Sequence, residues 1–432
     1  MRRALSIAIV LILLLIAAYV VLTRPDDSPG TAPALAGAPA SATPGARGEY
    51  LARAADCIAC HTRGASGEPY AGGVAFKLPF GTLYSTNITP DRDTGIGGWS
   101  DDEFVRAVRE GIAPGGRHLY PAFPYTSYTA LSRDDVLAIK QYLFSLPAVH
   151  APARPNDLSF PFNQRWAIGV WNALFFRSHR FVQDAAKPAP WNSGAYLARA
   201  LGHCGECHTP RNFAYALKSG EEFAGAEQQG WRAYNITSDQ VAGVGAWSEA
   251  DLASYLKVGH AEQHGAAGGP MAEAVENSLQ YLDPADIAAL VSYVRGVPPR
   301  AGAPVIKVDP APKAVLASSG IAPTADEGAS DGSALFAGAC VGCHTWNGKG
   351  LETSEAALLG ARSVNDVSGV NVIAAILHGS HLQTAQSDAS MPGFAAGYSD
   401  SEVAALANYL IGHFGGKAGQ VTADEVRRRR VL

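Results

Sequence analysis

All six cysteines of this 432-residue chain sit in three copies of one short unit: Cys57–Cys60–His61, Cys204–Cys207–His208 and Cys340–Cys343–His344. Two thiols at this spacing can add to the two vinyl groups on one edge of a porphyrin, and the adjoining His then meets the iron from the proximal side. Six Cys and 12 His in a chain of this length would give on the order of 0.002 such units by chance. Disulfides would explain paired cysteines in an exported protein, but not a His after every second Cys. Zinc would want four ligands from neighbouring pairs, and these pairs sit in three separate repeats. The motifs therefore predict three covalent haem c groups, with His61, His208 and His344 as axial ligands.

The opposite face of each iron needs its own ligand. Of three methionines, Met1 is the initiator, which leaves Met271 and Met391. Both stand in Pro- or Gly-containing turns before the last helix of their repeat, and a soft thioether there would favour ferrous iron. Core packing is the ordinary use of Met, so both are candidates on position. The first repeat departs from this. In the register of Met271 it holds Phe123, within Tyr120-Pro-Ala-Phe-Pro-Tyr125, and a phenyl ring cannot bind iron. His118, five residues earlier, is the candidate sixth ligand there, which would lower that potential relative to the His/Met sites. An open five-coordinate iron and a more distant ligand are the alternatives.

The motifs lie in an internal repeat. Gly48-Glu-Tyr-Leu-Ala-Arg-Ala precedes the first and Gly194-Ala-Tyr-Leu-Ala-Arg-Ala the second, which has one residue inserted. Asn87-Ile88-Thr89 matches Asn235-Ile236-Thr237, and Trp99-Ser100 matches Trp247-Ser248. A third, shorter unit opens at Gly332. Ser100 with Glu103 and Ser399 with Glu402 spell capping boxes, Asp283-Pro284 starts another helix, and Val136, Ile139, Tyr142 and Leu143 recur at helical spacing. No strand alternates cleanly, so the expected fold is all-α.

The N-terminus suggests export. Ala4 to Leu22 is nineteen residues without charge, Gly or Pro, about 28 Å as a helix and close to a bilayer's thickness. It follows Arg2 and Arg3, which the positive-inside rule keeps in the cytoplasm. A retained anchor is favoured over a cleaved signal; Ala34-Leu35-Ala36 and Ala38-Pro39-Ala40 are the processing sites if it is cleaved, and a buried soluble helix is the plain alternative. Lys and Arg (34) are outnumbered by Asp and Glu (39), against a basic nucleic-acid binder. The division read from composition and repeats is 1–23 transmembrane anchor or signal, 24–46 Ala/Pro/Gly linker, 47–147 first domain, 148–190 aromatic-rich connector, 191–298 second domain, 299–331 linker, 332–416 third domain and 417–432 basic tail. The connector reads as packed between two domains or as a surface for membrane, quinone or partner; the tail, with Arg427 to Arg430, reads as a solvated disordered end, with contact to anionic lipid or a partner as the alternative.

With this motif order the chain, over about 48–416, resembles the three-haem cytochrome c subunits of bacterial membrane-bound dehydrogenases. The resemblance implies three tandem class-I-like cytochrome c domains after a single N-terminal transmembrane helix, facing the periplasm from the inner membrane. It implies electron transfer from a catalytic dehydrogenase subunit of flavin, quinoprotein or molybdenum type to ubiquinone or a terminal acceptor, with no substrate site in this chain. The Phe123 form is similar to variants with molybdenum-hydroxylase partners. A haem enzyme, such as a peroxidase or small-molecule reductase at the Met-less first haem, is the competing expectation, and a haem-based sensor would need an output domain that the sequence lacks.

Overall fold

Helices start where side chains cap free amides. Ser100 accepts the N–H of Glu103 while the Glu103 carboxylate accepts that of Ser100, and Ser399 with Glu402 repeats the exchange. Ser132, Ser248 and Asp283 cap likewise, the last with Pro284 at the first helical position. Each satisfies a donor that the helix leaves open. The computed structural model describes residues 24–38, 42–64, 66–300, 331–351 and 353–431, which form two units divided after Glu206.

In the first unit, α1 (Pro44–Ala54) leads to the motif helix α2 (Cys57–His61). Then come β1 (Ala75–Leu78), β2 (Gly81–Tyr84), α3 (Asp101–Glu110), β3 (Ile112–Ala113), β4 (Arg117–His118), α4 (Tyr125–Tyr128) and α5 (Arg133–Ser145). β5 (Asp157–Leu158) completes a β1-β2-β5 sheet, followed by α6 (Trp166–Phe175) and α7 (Ala189–Tyr196). α1 lies along α5, and a methyl at Gly48 would overlap the carbonyl oxygen of Ala138. Buried Asp135 on α5 accepts from Arg47 of α1 and, at 2.6 Å, from the Tyr196 hydroxyl of α7, the partners that burying a carboxylate requires. Beyond α7 the chain makes a π-helical turn, Leu197–Leu201, with the Gly202 N–H on the Leu197 carbonyl at 2.6 Å. That wide turn absorbs the residue inserted ahead of the second motif.

The second motif is carried on α8 (Gly205–His208), and the second unit repeats the order of the first. It runs through β6 (Ala226–Gln228), β7 (Trp231–Ala233), α9 (Glu249–Val258), β8 (His260–Ala261), β9 (Gly265–Ala266), α10 (Pro270–Asn277) and α11 (Pro284–Gly296). The third motif follows on α12 (Asp331–Ala339) and α13 (Val341–His344), with α14 (Arg362–Asn365) and α15 (Val370–His378) after it. β10 (Ser380–Gln383), β11 (Asp388–Met391), α16 (Asp400–Gly415) and α17 (Ala423–Arg429) end the fold. Phe336, Ile373, Val403, Ile411 and Phe414 form the core of the third repeat. α12 lies on α16, with Gly332 under the Ala405 carbonyl as Gly48 lies under that of Ala138.

This close approach is testable. Gly332→Ala is expected to cost about 1–3 kcal/mol by forcing two helix backbones apart. Gly338→Ala, on the same helix with nothing within 4 Å, is expected to be neutral or slightly stabilising, since Ala has the better helix propensity. Urea unfolding of both variants checks the difference; equal effects would rule out the contact as the cause.

Three expectations are corrected. The fold is not all-α behind a membrane-crossing helix: five small sheets of two- to four-residue strands lie among the described residues, and no helix among them is long and apolar enough to cross a membrane. The helix expected over residues 1–23 lies outside the described residues, as does 301–330 of the second linker. Strands this short carry too few residues for alternation to register. The composition-read linker before the first motif is strapped down: Arg109 donates to Ser28 O at 2.7 Å, Ser193 to Ala34 O at 2.7 Å, and Leu35 and Ala38 are buried. The basic tail is folded, because α17 pairs Arg429 with Glu227 and Glu425, and Arg427 and Arg430 with Asp400. In the aromatic connector, α6 turns Asn172 inward to the Tyr125 hydroxyl at 2.6 Å. Trp166 and Leu174 remain 71% and 62% exposed on its other side.

Candidate haem-binding sites

The three motif histidines share one geometry. Nδ1 lies 2.7 Å from the carbonyl of Thr86 in His61, 2.6 Å from that of Tyr234 in His208, and 2.7 Å from that of Ala356 in His344. A carbonyl only accepts, so Nδ1 carries the proton and Nε2 keeps its lone pair. Burial lowers all three pKa values, against the raising effect of the carbonyl bond, which holds each ring neutral as iron ligation requires.

The repeated Asn-Ile-Thr explains how two of those carbonyls are held. Asn87 Oδ1 accepts the Thr89 N–H at 2.9 Å while its amide donates to Val149 O at 2.7 Å. Asn235 accepts the Thr237 N–H at 2.8 Å and donates to Arg300 O at 2.7 Å. Each Asn closes a local turn and ties it to the chain leaving the last helix of its repeat, so the preceding carbonyl, of Thr86 or Tyr234, is fixed. The Trp-Ser segments are tied to the same helices, with Lys140 donating to Trp99 O and Arg295 to Trp247 O. Ala356 has no such marker in the sequence.

None of the six cysteines is in a disulfide, so disulfides are not the reason for their pairing. Burial pushes Cys57 up to about 12 and Cys340 up to about 11, so both are neutral thiols at neutral pH. Among the described residues no group of three or more His, Cys, Asp or Glu could hold a metal ion. A porphyrin joined by thioethers, with iron taken by a neutral Nε2, suits this donor set.

The candidate sixth ligands fall into a register that the sequence did not reveal. Gly111, Gly259 and Gly379 close α3, α9 and α15, and the next residue opens a hairpin. There Ile112 pairs with His118, His260 with Ala266, and Ser380 with Met391. His118 thus stands where Met391 stands. Five residues past the pairing partner, Phe123 corresponds to Met271, as the spacing from Trp99 and Trp247 predicts. Nδ1 of His118 is sealed from water with no hydrogen-bond partner among the described residues, and burial, with Arg106 adding to it, lowers the pKa of the ring. Met271 packs on Ala267, Ala272, Val275 and Leu382. A methyl at Gly268 would meet Ser380 Oγ, so the loops bearing Met271 and Met391 adjoin. In the first unit, Tyr128 donates to Ala55 O at 2.7 Å and meets the rings of Phe123 at 5.5 Å and His203 at 5.6 Å. That brings the residues leading into the second motif against those leading into the first.

The cytochrome c family model matches residues 329–412. The chain is 40% identical to the fructose dehydrogenase cytochrome subunit of Gluconobacter japonicus over 89% of its length and 82% of that protein. It is 36% identical to the gluconate 2-dehydrogenase cytochrome c subunit of Pantoea cypripedii, over 89% of each chain. It is also 37% identical to the cytochrome c subunit of the quinone-type alcohol dehydrogenase of Gluconacetobacter polyoxogenes, over 92% of this chain and 87% of that protein. Read with the haem-type motifs and their oriented histidines, these likenesses make the chain a member of the cytochrome c subunits of dehydrogenase complexes, a haem c electron-transfer subunit and not the catalytic one.

Proposed function

We propose that this chain carries three haem c groups and passes electrons from a catalytic dehydrogenase subunit to ubiquinone or a terminal acceptor. The observation that carries the count is the common proximal geometry, a motif His bound through Nδ1 to a backbone carbonyl in all three repeats. Cys57 and Cys60, Cys204 and Cys207, and Cys340 and Cys343 would form the thioether links, dividing the chain into three haem domains. Haem c supplies one-electron exchange between ferrous and ferric iron.

The residues tune that exchange. Each carbonyl fixes the tautomer and plane of its imidazole and makes Nε2 more basic. Met271 and Met391 are the proposed sixth ligands of the second and third sites, and His118 of the first, giving one low-potential and two higher-potential sites. The reading sets the haem-bearing part in the periplasm, and its support is the apolar run Ala4 to Leu22 headed by Arg2 and Arg3.

Denatured holoprotein is expected to retain its colour through acidic organic extraction and to show three porphyrin masses by mass spectrometry. A Cys→Ser pair at any one motif should remove one. Extractable colour, or fewer than three porphyrins in the unsubstituted chain, would refute the count.

A further inference from the structure

The segment entering α14 is pressed onto the turn between β8 and β9, so closely that a methyl at Gly360 would overlap the carbonyl oxygen of Gln263. This contact delivers Arg362, from the third repeat, among residues of the second. Its guanidinium donates to the backbone carbonyls of Asn235, at 3.0 Å, and Gly243. It lies 5.8 Å from the Tyr234 ring and 5.9 Å from the Trp247 ring, and Trp247 stacks on His264 at 3.7 Å.

The charge balance of this cluster is incomplete. Arg232, nearby in sequence, has Glu227 and Asp366 as counter-ions, but among the described residues no carboxylate pairs with Arg362. Its Nε and the Tyr234 hydroxyl are both sealed from water without a hydrogen-bond partner among the described residues. A buried cation without a counter-ion and a buried hydroxyl without a partner, on residues whose guanidinium and ring centre lie 5.8 Å apart, are costly unless an anion accepts from them. Tyr234 is also the residue whose carbonyl holds Nδ1 of His208, so the open donors border the second haem site.

We infer that Arg362 and Tyr234 receive a carboxylate of the porphyrin bound at the second motif, a haem propionate, and that the third repeat thereby helps set the potential of the second haem. This rests on the reading of haem at Cys204, Cys207 and His208. The anion arrives as part of the cofactor, which explains why the chain supplies none. Ferric iron carries one more positive charge than ferrous iron. A propionate deprived of its guanidinium therefore stabilises the ferric form and lowers the potential.

The test is a spectroelectrochemical titration of full-length holoprotein carrying Arg362→Gln, Arg362→Lys or Tyr234→Phe. A Cys204→Ser/Cys207→Ser variant identifies the second component by its disappearance. Arg362→Gln is expected to change the reduced-to-oxidised ratio of that component about tenfold at fixed potential, a fall of about 59 mV for one electron, with the other two components unmoved. Arg362→Lys keeps the charge and should restore most of the shift, and Tyr234→Phe should give a smaller fall. An unmoved second component in both Arg362→Gln and Tyr234→Phe, or equal shifts for Gln and Lys, would overturn the proposal. If Arg362→Gln fails to fold, Tyr234→Phe, which deletes one hydroxyl, decides it. Absence of any haem at the second motif of the unsubstituted chain is a different failure, of the haem reading itself, and is seen by mass before the titration begins.

Discussion

In reduced holoprotein carrying His118→Ala, one haem per chain is expected to become high-spin and bind carbon monoxide, where the unsubstituted protein binds none. The argument rests on register and on one buried atom. Gly111 and Gly379 end equivalent helices, and the residue after each pairs with His118 or with Met391. The backbone therefore holds the two side chains at the same hairpin position. Phe123, which takes the Met271 position, is packed on Tyr128 and offers no lone pair, so on the proposed reading the first site would draw its sixth ligand from the other position. Two observations support that proposal: the His118 carbonyl accepts from Arg165 at 2.7 Å, and its sealed Nδ1 has a lone pair or proton that no described residue engages. Removing the imidazole opens one coordination position, and carbon monoxide takes ferrous iron wherever a position is open. His118→Met should stay low-spin and closed to carbon monoxide while raising that haem's potential, because thioether ligation favours ferrous iron. An unaltered spectrum in His118→Ala would remove His118 from the ligand set. Carbon monoxide binding by the unsubstituted chain would instead mean an open first haem.

How much of this was legible beforehand follows from what sequence patterns encode. The Cys-x-x-Cys-His units are local, so the three candidate haem motifs could be read directly. Capping boxes at Ser100 and Ser399 are also local, and both form as spelled. The small sheets were not legible, because β3 and β4 hold two residues each and pair through turn geometry rather than through an alternating pattern. The register linking His118 to Met391 was hidden by unequal turns, since Ile112 and His118 are six residues apart while Ser380 and Met391 are eleven apart. Arg362 was invisible for another reason. Its setting depends on Gln263, Asn235 and Gly243, about 100 or more residues away in sequence, and a single Arg after the run Ala356-Ala-Leu-Leu-Gly-Ala361 carries no local signal of them. The arginine tail looks solvated in the sequence because its partners Glu227 and Asp400 lie elsewhere in the chain; charge runs look solvated until the acids opposite them are known.

Met391→Ala and Met271→Ala should each lower one haem potential, and a different one, by on the order of 100 mV within the ~0.8 V that axial ligands span. The sign follows from the donor. A thioether is a soft, neutral ligand that stabilises ferrous iron relative to ferric, so water or no ligand in its place shifts the balance toward the oxidised state. The two variants should differ in a second readout. Met391 ends β11 with its backbone in a hairpin ladder, so truncation leaves the loop in place and the third haem takes carbon monoxide readily. Met271 lies in the first turn of α10, where its side chain is part of the small core of Ala272, Val275 and Leu382. Its truncation therefore also costs packing, about 2–5 kcal/mol for a well-buried Met and less for this partly buried one. Redox titration, carbon monoxide binding and denaturant unfolding on the same samples separate the effects. If both potentials stay put, neither methionine is a ligand. If Met271→Ala loses stability with no change in potential, the core-packing use of Met is the whole of its role.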